Sequence, residues 1–430
     1  MASSRNIYKR EIDFRALALE SPEFAKRLKT NDQLDFTDPE SVRQLTKSLL
    51  ARDFELAVDL PDDRLCPPVP NRLNYILWLQ DLLDTSSRTG DDQYDPNRQV
   101  LGLDMVLLQS DIDDRNISSS RQTVSKNKLE NRVKIIETKP DDPLIPFEKL
   151  NVDRLDFVMC NPPFYESEEE LTSSAAAKSR PPFTACTGSA VEMITPGGEV
   201  AFVSAIVMQS VDLKTRVLWF TSMLGKLSSV SVIVQKLLDI GIKNWAVTEF
   251  VQGKGTRRWA VGWSFSDWRP RSDASRGITT LSKNLLPFPS HYSFDVSIKP
   301  NDLLKQAIAN INTDFSSLRH FCYSWISKQS CIGYAKEDVW SRKARRKFAR
   351  EQGGKEQGQQ SDKMQCSNDG KSKQMEEMIE NAALGFRIDL SLQADGSVHV
   401  VIRWLKGLDQ VLFESFCGMV KRKIMEEIRA

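Results

Sequence analysis

The residues Asn161-Pro162-Pro163-Phe164 stand directly after an apolar run, Leu155 to Cys160, that reads as a buried strand. Proline fixes its own backbone and restricts the residue before it, so this corner can hold the Asn161 side-chain oxygen and a neighbouring carbonyl in one plane. Two acceptors arranged that way suit an exocyclic amino group on a base. Both N–H bonds are accepted, and the nitrogen lone pair is turned toward an electrophile. Phe164 or Tyr165 can stack on a flipped base. A sulfonium methyl donor such as S-adenosyl-L-methionine is reactive enough for alignment and electrostatics to carry the catalysis. No strong base is needed, which suits a chain with 3 histidines. A Pro-Pro turn also closes strands that do no chemistry, and enzymes that methylate glutamine amides use similar tetrapeptides, so the motif specifies the reaction more closely than the substrate. Cys160 reads as packing rather than as a nucleophile.

Such a corner needs a sheet to carry it. From 61 to 268, short apolar runs alternate with helical patterns: "VLGLDMVLL", "RVKII", "LDFVMC", "GEVAFVSAIV", "VTEFVQ" and "RRWAVGWSF". The alternation predicts an α/β fold, and Trp259, Val261, Trp263 and Phe265 on one face of a period-two strand after Gly253-Lys254-Gly255 predict a closing antiparallel hairpin. Residues 1–60 read as a helical extension, with Asp38-Pro39-Glu40 as a start signal before Val42, Leu45 and Leu49. Residues 269–286 are polar and turn-rich, a linker. Residues 287–430 predict a smaller α+β domain: a helix around "NDLLKQAIANI", a basic run, a low-complexity insert at 351–374 expected to be disordered, two alternating strands around Asp395-Gly396, and an amphipathic helix carrying Leu412, Phe416, Met419 and Ile424.

Composition excludes several classes. With 59 Lys plus Arg against 58 Asp plus Glu, no whole-protein field attracts a polyanion, so any nucleic-acid surface must be local. The 7 cysteines include no C-x-x-C pair, which argues against a disulfide framework or zinc cluster and predicts reduced thiols and no metal. His291, His320 and His399 have no ligand spacing. The start is charged where a signal peptide needs an apolar core, and the apolar stretch 230–242 is broken by Gln235, Lys236 and Asp239, so a soluble intracellular chain without a membrane partner is expected.

The segments "VPNRLNYILWLQDLL", "SDIDDRN", "DFVMCNPPFYES", "TPGGEVAFV" and "TEFVQGKGTRRWAVGWSF", in that order, resemble the methyltransferase-like protein 16 family over most of residues 1–270. The resemblance implies a Rossmann-like class I methyltransferase sheet, S-adenosyl-L-methionine as cofactor, and N6-methyladenosine made in structured RNA, U6 small nuclear RNA included; a bacterial ribosomal-RNA enzyme is a relative. More weakly, the C-terminal hairpin and helix look like that family's RNA-binding accessory domain. By the same resemblance, Asn161, Pro162, Pro163 and Phe164 hold the target adenine. Asp111 accepts the cofactor ribose hydroxyls, Arg72 reaches the methionine carboxylate, and Asp142 lies near the cofactor adenine. Gly102 and Asp104, on the first strand, and Asn161 complete the cofactor set. The stretch "AAAKSRPPFTACTG", with Arg180 as an RNA contact, matches a mobile loop that gates the pocket.

One departure matters. The family's first strand leads through a glycine turn and a helix to the strand that ends in the acid, whereas here "VLGLDMVLLQSDIDD" runs from one directly into the other. Parallel neighbours need a crossover of about a dozen residues, so the two runs cannot both take their usual slots. The chain is therefore expected to be a shortened form of an active enzyme, by splicing or a misread gene, and to bind cofactor poorly. RNA contact is expected at Lys254, Arg257 and Arg258 in the hairpin. It is also expected at Arg342, Lys343, Arg345, Arg346 and Lys347, a run that equally fits a solvated face or a nuclear-import signal. The leading reading is a nuclear RNA adenine-N6 methyltransferase, with the cytoplasm and the oligomeric state left open. The alternatives are a catalytically silent RNA-binding protein and a methyltransferase of ribosomal RNA or protein glutamine.

Overall fold

The computed structural model describes residues 5–61, 66, 68–87, 90, 92–105, 114–139, 141–170, 193–252, 256–296, 303–352 and 371–426. The chain divides into two compact units: residues 1–81, 96–265 and 276–286 form the first, and residues 82–95, 266–275 and 287–430 the second.

The first unit opens with α1 (Phe14–Glu20), α2 (Pro22–Ala25) and α3 (Pro39–Phe54). Asp38 caps α3 by accepting the Glu40 and Ser41 N–H groups, with Pro39 as first helical residue, and Val42, Leu45 and Leu49 are buried as their spacing predicts. After α4 (Val69–Thr85) come β1 (Gly102–Met105), α5 (Asp114–Lys126), α6 (Phe147–Leu150), β2 (Leu155–Cys160), α7 (Gly198–Leu213), β3 (Val217–Leu224), α8 (Leu227–Ile240), β4 (Asn244–Gln252), β5 (Thr256–Ser264) and, after the short α9 (Ser272–Ser275), which belongs to the second unit, β6 (Arg276–Gly277). The sheet order is β1-β2-β3-β5-β4-β6. β1, β2 and β3 run parallel, and β4 and β5 form the expected antiparallel hairpin.

Val203, Ile206 and Val207 of α7 and Val230, Ile233, Val234 and Leu237 of α8 pack with Phe220, Val261 and Trp263 in one core, all without exposed surface. Phe220 and Trp263 stack with centroids 5.7 Å apart. Gly262 lies between Val261 and Trp263 and so faces the other way; a Cβ there would stand 3.2 Å from Trp78 of α4. Glycine thus lets α4 rest on the opposite face, where Trp78 and Tyr75 meet Phe250.

Three expectations fail. "GEVAFVSAIV" is the body of helix α7, because a mostly apolar run shows little period and its extension to Leu213 is what marks it as helical. "RVKII" is not a strand; Val133 is 41 % exposed with no strand beside it. Residues 269–286, expected as a linker, contribute β6 alongside β4 and bury Ile278, Leu281 and Leu285, three apolar residues in a polar text.

The second unit is an antiparallel sheet of β7 (His291–Val296), β8 (Phe321–Trp325), β9 (Ser330–Ala335), β10 (Leu384–Leu392) and β11 (Val398–Lys406), ordered β7-β11-β10-β9-β8. Helices α10 (Leu303–Ser316) and α13 (Gln410–Glu426) bring Ile311, Phe315, Phe413 and Phe416 against Phe386, Ile388 and Trp404. Trp268, Met378 and Leu405 join Tyr334 in a smaller cluster. Two cations, the half-buried Arg387 and the buried Arg403, face the Asp92 carboxylate at 3.3 and 3.7 Å. Helices α11 (Arg342–Gln352) and α12 (Lys371–Glu380) complete the unit. Of the insert expected at 351–374, residues 353–370 lie outside the described residues, while its ends belong to these two helices.

Candidate active site

β2 delivers the corner where it was expected. The β2–β3 ladder stops at the pair Val158 and Phe220, two residues before the strand ends. Beyond that point a side chain replaces the backbone pairing: the Tyr75 hydroxyl of α4 accepts the Cys160 N–H at 3.2 Å and bonds Thr221 Oγ1 at 2.8 Å, and Thr221 donates to the Val158 carbonyl at 2.9 Å. Asn161 therefore follows a residue held on both sides. Pro162 and Pro163 are buried, while Asn161, Phe164 and Tyr165 are half-buried. Among the described residues none hydrogen-bonds the Asn161 amide, so it can take a substrate group.

Arg72, one turn before Tyr75 on α4, faces Asp104 at the end of β1. Asp104 keeps exposed surface while protein crowds its carboxylate. Burial raises its pKa above the ordinary aspartate value, and the Arg72 guanidinium pulls it partly back. Both charges also reach Cys160, whose thiol burial pushes far up; it stays protonated and packs, as the sequence suggests. Gly102 has a steric task, since a Cβ there would lie 2.0 Å from the Phe157 ring. Only glycine lets β1 pair so closely with β2 at that point.

β1 is an edge among the described residues. It pairs with β2 on one side, and the chain passes from Met105 to the start of α5 at Asp114 over an interval shorter than a parallel crossover requires. Asp111 falls in that interval, outside the described residues, as do Arg180 and Lys254 elsewhere. Asp142 is engaged in its own loop: its carboxylate accepts the Lys139 N–H and pairs with Lys149, contacts that hold its pKa below the ordinary value.

On the hairpin, Arg257 pairs with Glu249 across the strands at 3.0 Å. Arg258 instead lays its guanidinium over the Phe164 ring, 5.4 Å from the centroid. In the second unit, Arg342, Lys343, Arg345, Arg346 and Lys347 are exposed on α11, with Ala344 buried and Phe348 half-buried, and Lys347 lies 3.7 Å from Glu337. The helix thus anchors on two apolar residues and turns its cations outward.

Sequence reasoning missed Tyr75, Glu199 and the Gly225-Lys226 turn, which hold the corner. The Glu199 carboxylate accepts the Gly225 and Lys226 N–H groups at 2.6 and 3.2 Å. Lys226 pairs with Glu170 at 2.6 Å, and Glu170 accepts the Glu166 N–H at 2.7 Å. The one visible signal was the doublet Gly197-Gly198, both at positive φ (75° and 61°), which marks a tight helix entry.

Among the described residues no group of His, Cys, Asp and Glu could hold a metal ion, and no helix is long and apolar enough to cross a membrane.

Comparison with known proteins agrees with this geometry. A family model described as RNA methyltransferase matches residues 2–107 and 99–267, two segments that overlap at β1, where the glycine turn is missing. The chain is 32% identical over 416 residues to the U6 small nuclear RNA (adenine-(43)-N(6))-methyltransferase of Schizosaccharomyces pombe, covering 92% of this chain and 96% of that one. It is 28% identical to the RNA N(6)-adenosine-methyltransferase mettl16 of Danio rerio, covering 99% and 97%. The crystal structure of the human Mettl16 catalytic domain with a MAT2A 3'UTR hairpin superposes with a TM-score of 0.52 at 33% identity, covering 62% of this chain and 96% of that one. On the family match and the full-length similarity together, the chain belongs to this RNA methyltransferase family.

Proposed function

We propose that this chain is an S-adenosylmethionine-dependent methyltransferase that makes N6-methyladenosine in structured RNA, with a U6 small nuclear RNA-like hairpin as its substrate. The observation that carries the reading is the corner itself: an Asn161 amide unengaged by any described residue, at the carboxyl end of a parallel strand, beside a partly exposed Phe164 ring. Ligands of open α/β sheets bind at those strand ends. The relatives named for U6 RNA and adenosine N6 support the substrate.

The described part of the cofactor site fits the donor. Arg72 would take its carboxylate and Asp104 its positive end, two opposite charges within electrostatic reach of each other and neither of them buried from solvent. S-adenosylmethionine, when bound, supplies an electrophilic methyl carbon on a sulfonium.

The protein's part is positioning. Asn161 Oδ1 and the carbonyl beside it accept the two N–H bonds of the adenine amine and aim its lone pair out of the base plane. Phe164 stacks on the extruded base, which repays part of the cost of unstacking it. The proton leaves to water after transfer, so no basic side chain is required. Arg257, Arg258 and the exposed cations of α11 supply phosphate contacts for RNA. The same basic helix supports a nuclear location.

Incubating the chain with S-adenosylmethionine and a U6-like hairpin, then digesting the RNA for nucleoside mass spectrometry, tests the reading. N6-methyladenosine at one adenine is expected. Hairpin binding without any modified adenosine would refute it.

A further inference from the structure

The Phe164 ring is placed by Gly225, far along the chain, as well as by its neighbours in sequence. A Cβ on Gly225 would lie 3.0 Å from Phe164 Cδ1 and 3.6 Å from Cε1, so the ring edge rests directly on the bare Gly225 backbone. Arg258 lies over a face of the same ring, 5.4 Å from its centroid. What holds Gly225 is a single carboxylate. Glu199, in the first turn of α7 and 3 % exposed, takes the Gly225 N–H at 2.6 Å and the Lys226 N–H at 3.2 Å, and receives a hydrogen bond from Ser229.

These donors lie at the entrance of α8, and Lys226, at the N-cap position, gives that helix no side-chain cap of its own. Without Glu199 the two half-buried N–H groups would lose their protein acceptor. A carboxylate is also the group that a helix N-terminus favours. The same turn reaches the far end of the loop through Lys226 and Glu170, and Glu170 in turn holds the Glu166 N–H. The loop backbone also passes in ordinary contact with the start of α7, the Cβ position of Gly198 being 3.8 Å from the Phe164 carbonyl oxygen. The loop is thus tied to Glu199 and its turn at Phe164 and again at Glu166.

We propose that Glu199 is a positioning residue for the reaction: by fixing the Gly225-Lys226 turn it sets where the Phe164 ring stands, and so how the target base is stacked. The inference rests on the reading of Phe164 as the stacking ring.

The test uses the full chain and its RNA hairpin. Glu199→Gln keeps the size and one acceptor but presents an amide N–H to one of the two backbone donors, so Gly225 must move. A displacement of a few tenths of an ångström at the reacting base is expected to lower kcat by about tenfold. KM for S-adenosylmethionine and the hairpin Kd should stay within about twofold, because neither ligand touches Glu199. In a Phe164→Ala background the same substitution should change kcat by less than about twofold, since both act through one ring.

Gly225→Ala is the second variant. It keeps the Glu199 side chain, places a Cβ 3.0 Å from the ring and 3.3 Å from the Glu199 carboxylate, and should give the same split. Fluorophenylalanine at position 164, read by 19F NMR, reports the ring without requiring turnover; its resonance should shift in both variants. A resonance unmoved in both variants overturns the positioning role, whatever the activity. So does a kcat loss of equal size with and without Phe164. A shifted resonance in a parent chain that modifies no adenine would leave Glu199 its structural effect and overturn the functional reading instead.

Discussion

Tyr75→Phe removes one oxygen atom and should be felt in both stability and turnover. In the parent that oxygen is the middle of a dry chain from the Cys160 N–H through Tyr75 and Thr221 to the Val158 carbonyl, and Tyr75, Cys160 and Thr221 have no exposed surface. The substitution deletes two hydrogen bonds and leaves the Cys160 N–H without a partner, because the β2–β3 ladder has already ended at Val158. A net loss of about 1 kcal/mol for a hydrogen bond and about 1–3 kcal/mol for a stranded buried donor gives about 2–4 kcal/mol in all. The phenyl ring still fills its site, so no cavity adds to this. For a unit of this size the melting temperature should fall by about 5–10 °C. Urea titration followed by tryptophan fluorescence should show a lower midpoint at an unchanged m-value. Because Asn161 follows Cys160 directly, kcat should fall about tenfold at saturating cofactor and RNA. A midpoint within about 0.5 kcal/mol of the parent, or full turnover in a destabilised protein, would refute the claim that Tyr75 holds the corner.

Three other outcomes follow from the same geometry. Burial raises the Asp104 pKa, so the folded chain holds more protons than the unfolded one between the two values, and stability falls as pH rises through that interval and stays lower above it. Asp104→Asn should remove this fall, leaving a more stable protein at pH 7 that binds S-adenosylmethionine less well; parallel stability slopes for parent and variant between about pH 4 and 8 would contradict this. Inserting a glycine turn and a crossover helix after Met105 should tighten S-adenosylmethionine binding about tenfold or more in calorimetry, by giving β1 a second parallel neighbour, whereas micromolar binding by the chain as it stands would remove the reason for the insertion. Replacing Arg345 and Arg346 of α11 by Glu should weaken hairpin binding and flatten its slope against log salt by about 1–2; an unchanged slope would leave the helix a solvated face.

The site was legible where chemistry is written in consecutive residues. Asn161 to Phe164 ends a parallel strand, and the alternation from Trp259 to Phe265 marks one strand of a hairpin, because turn chemistry and period are local properties. Asp38 and Pro39 announced α3 for the same reason. The misreadings arose where the deciding partner is remote. In the run at 198–207 the exposed Ala201 and Ala205 are as apolar in text as the buried Phe202, Val203, Ile206 and Val207, so the helical period is hidden. "RVKII" has strand-forming residues and nothing to pair with. Glu199 could not be singled out, since its acceptors are used by N–H groups 26 and 27 residues away and a glutamate after two glycines reads as an ordinary helix start. The stacking of Arg258 over the Phe164 ring was equally invisible. Only the closing of the sheet brings residue 258 to residue 164.

Single-turnover methyl transfer by Asn161→Ala, with S-adenosylmethionine and hairpin both saturating, addresses the account most directly. Loss of the acceptor should slow N6-methyladenosine formation by about a hundredfold or more while the hairpin Kd stays within about twofold, because the amide aligns the amine and contributes little to holding the RNA. A variant that methylates at the parent's rate would show that the amine is positioned by something other than this corner.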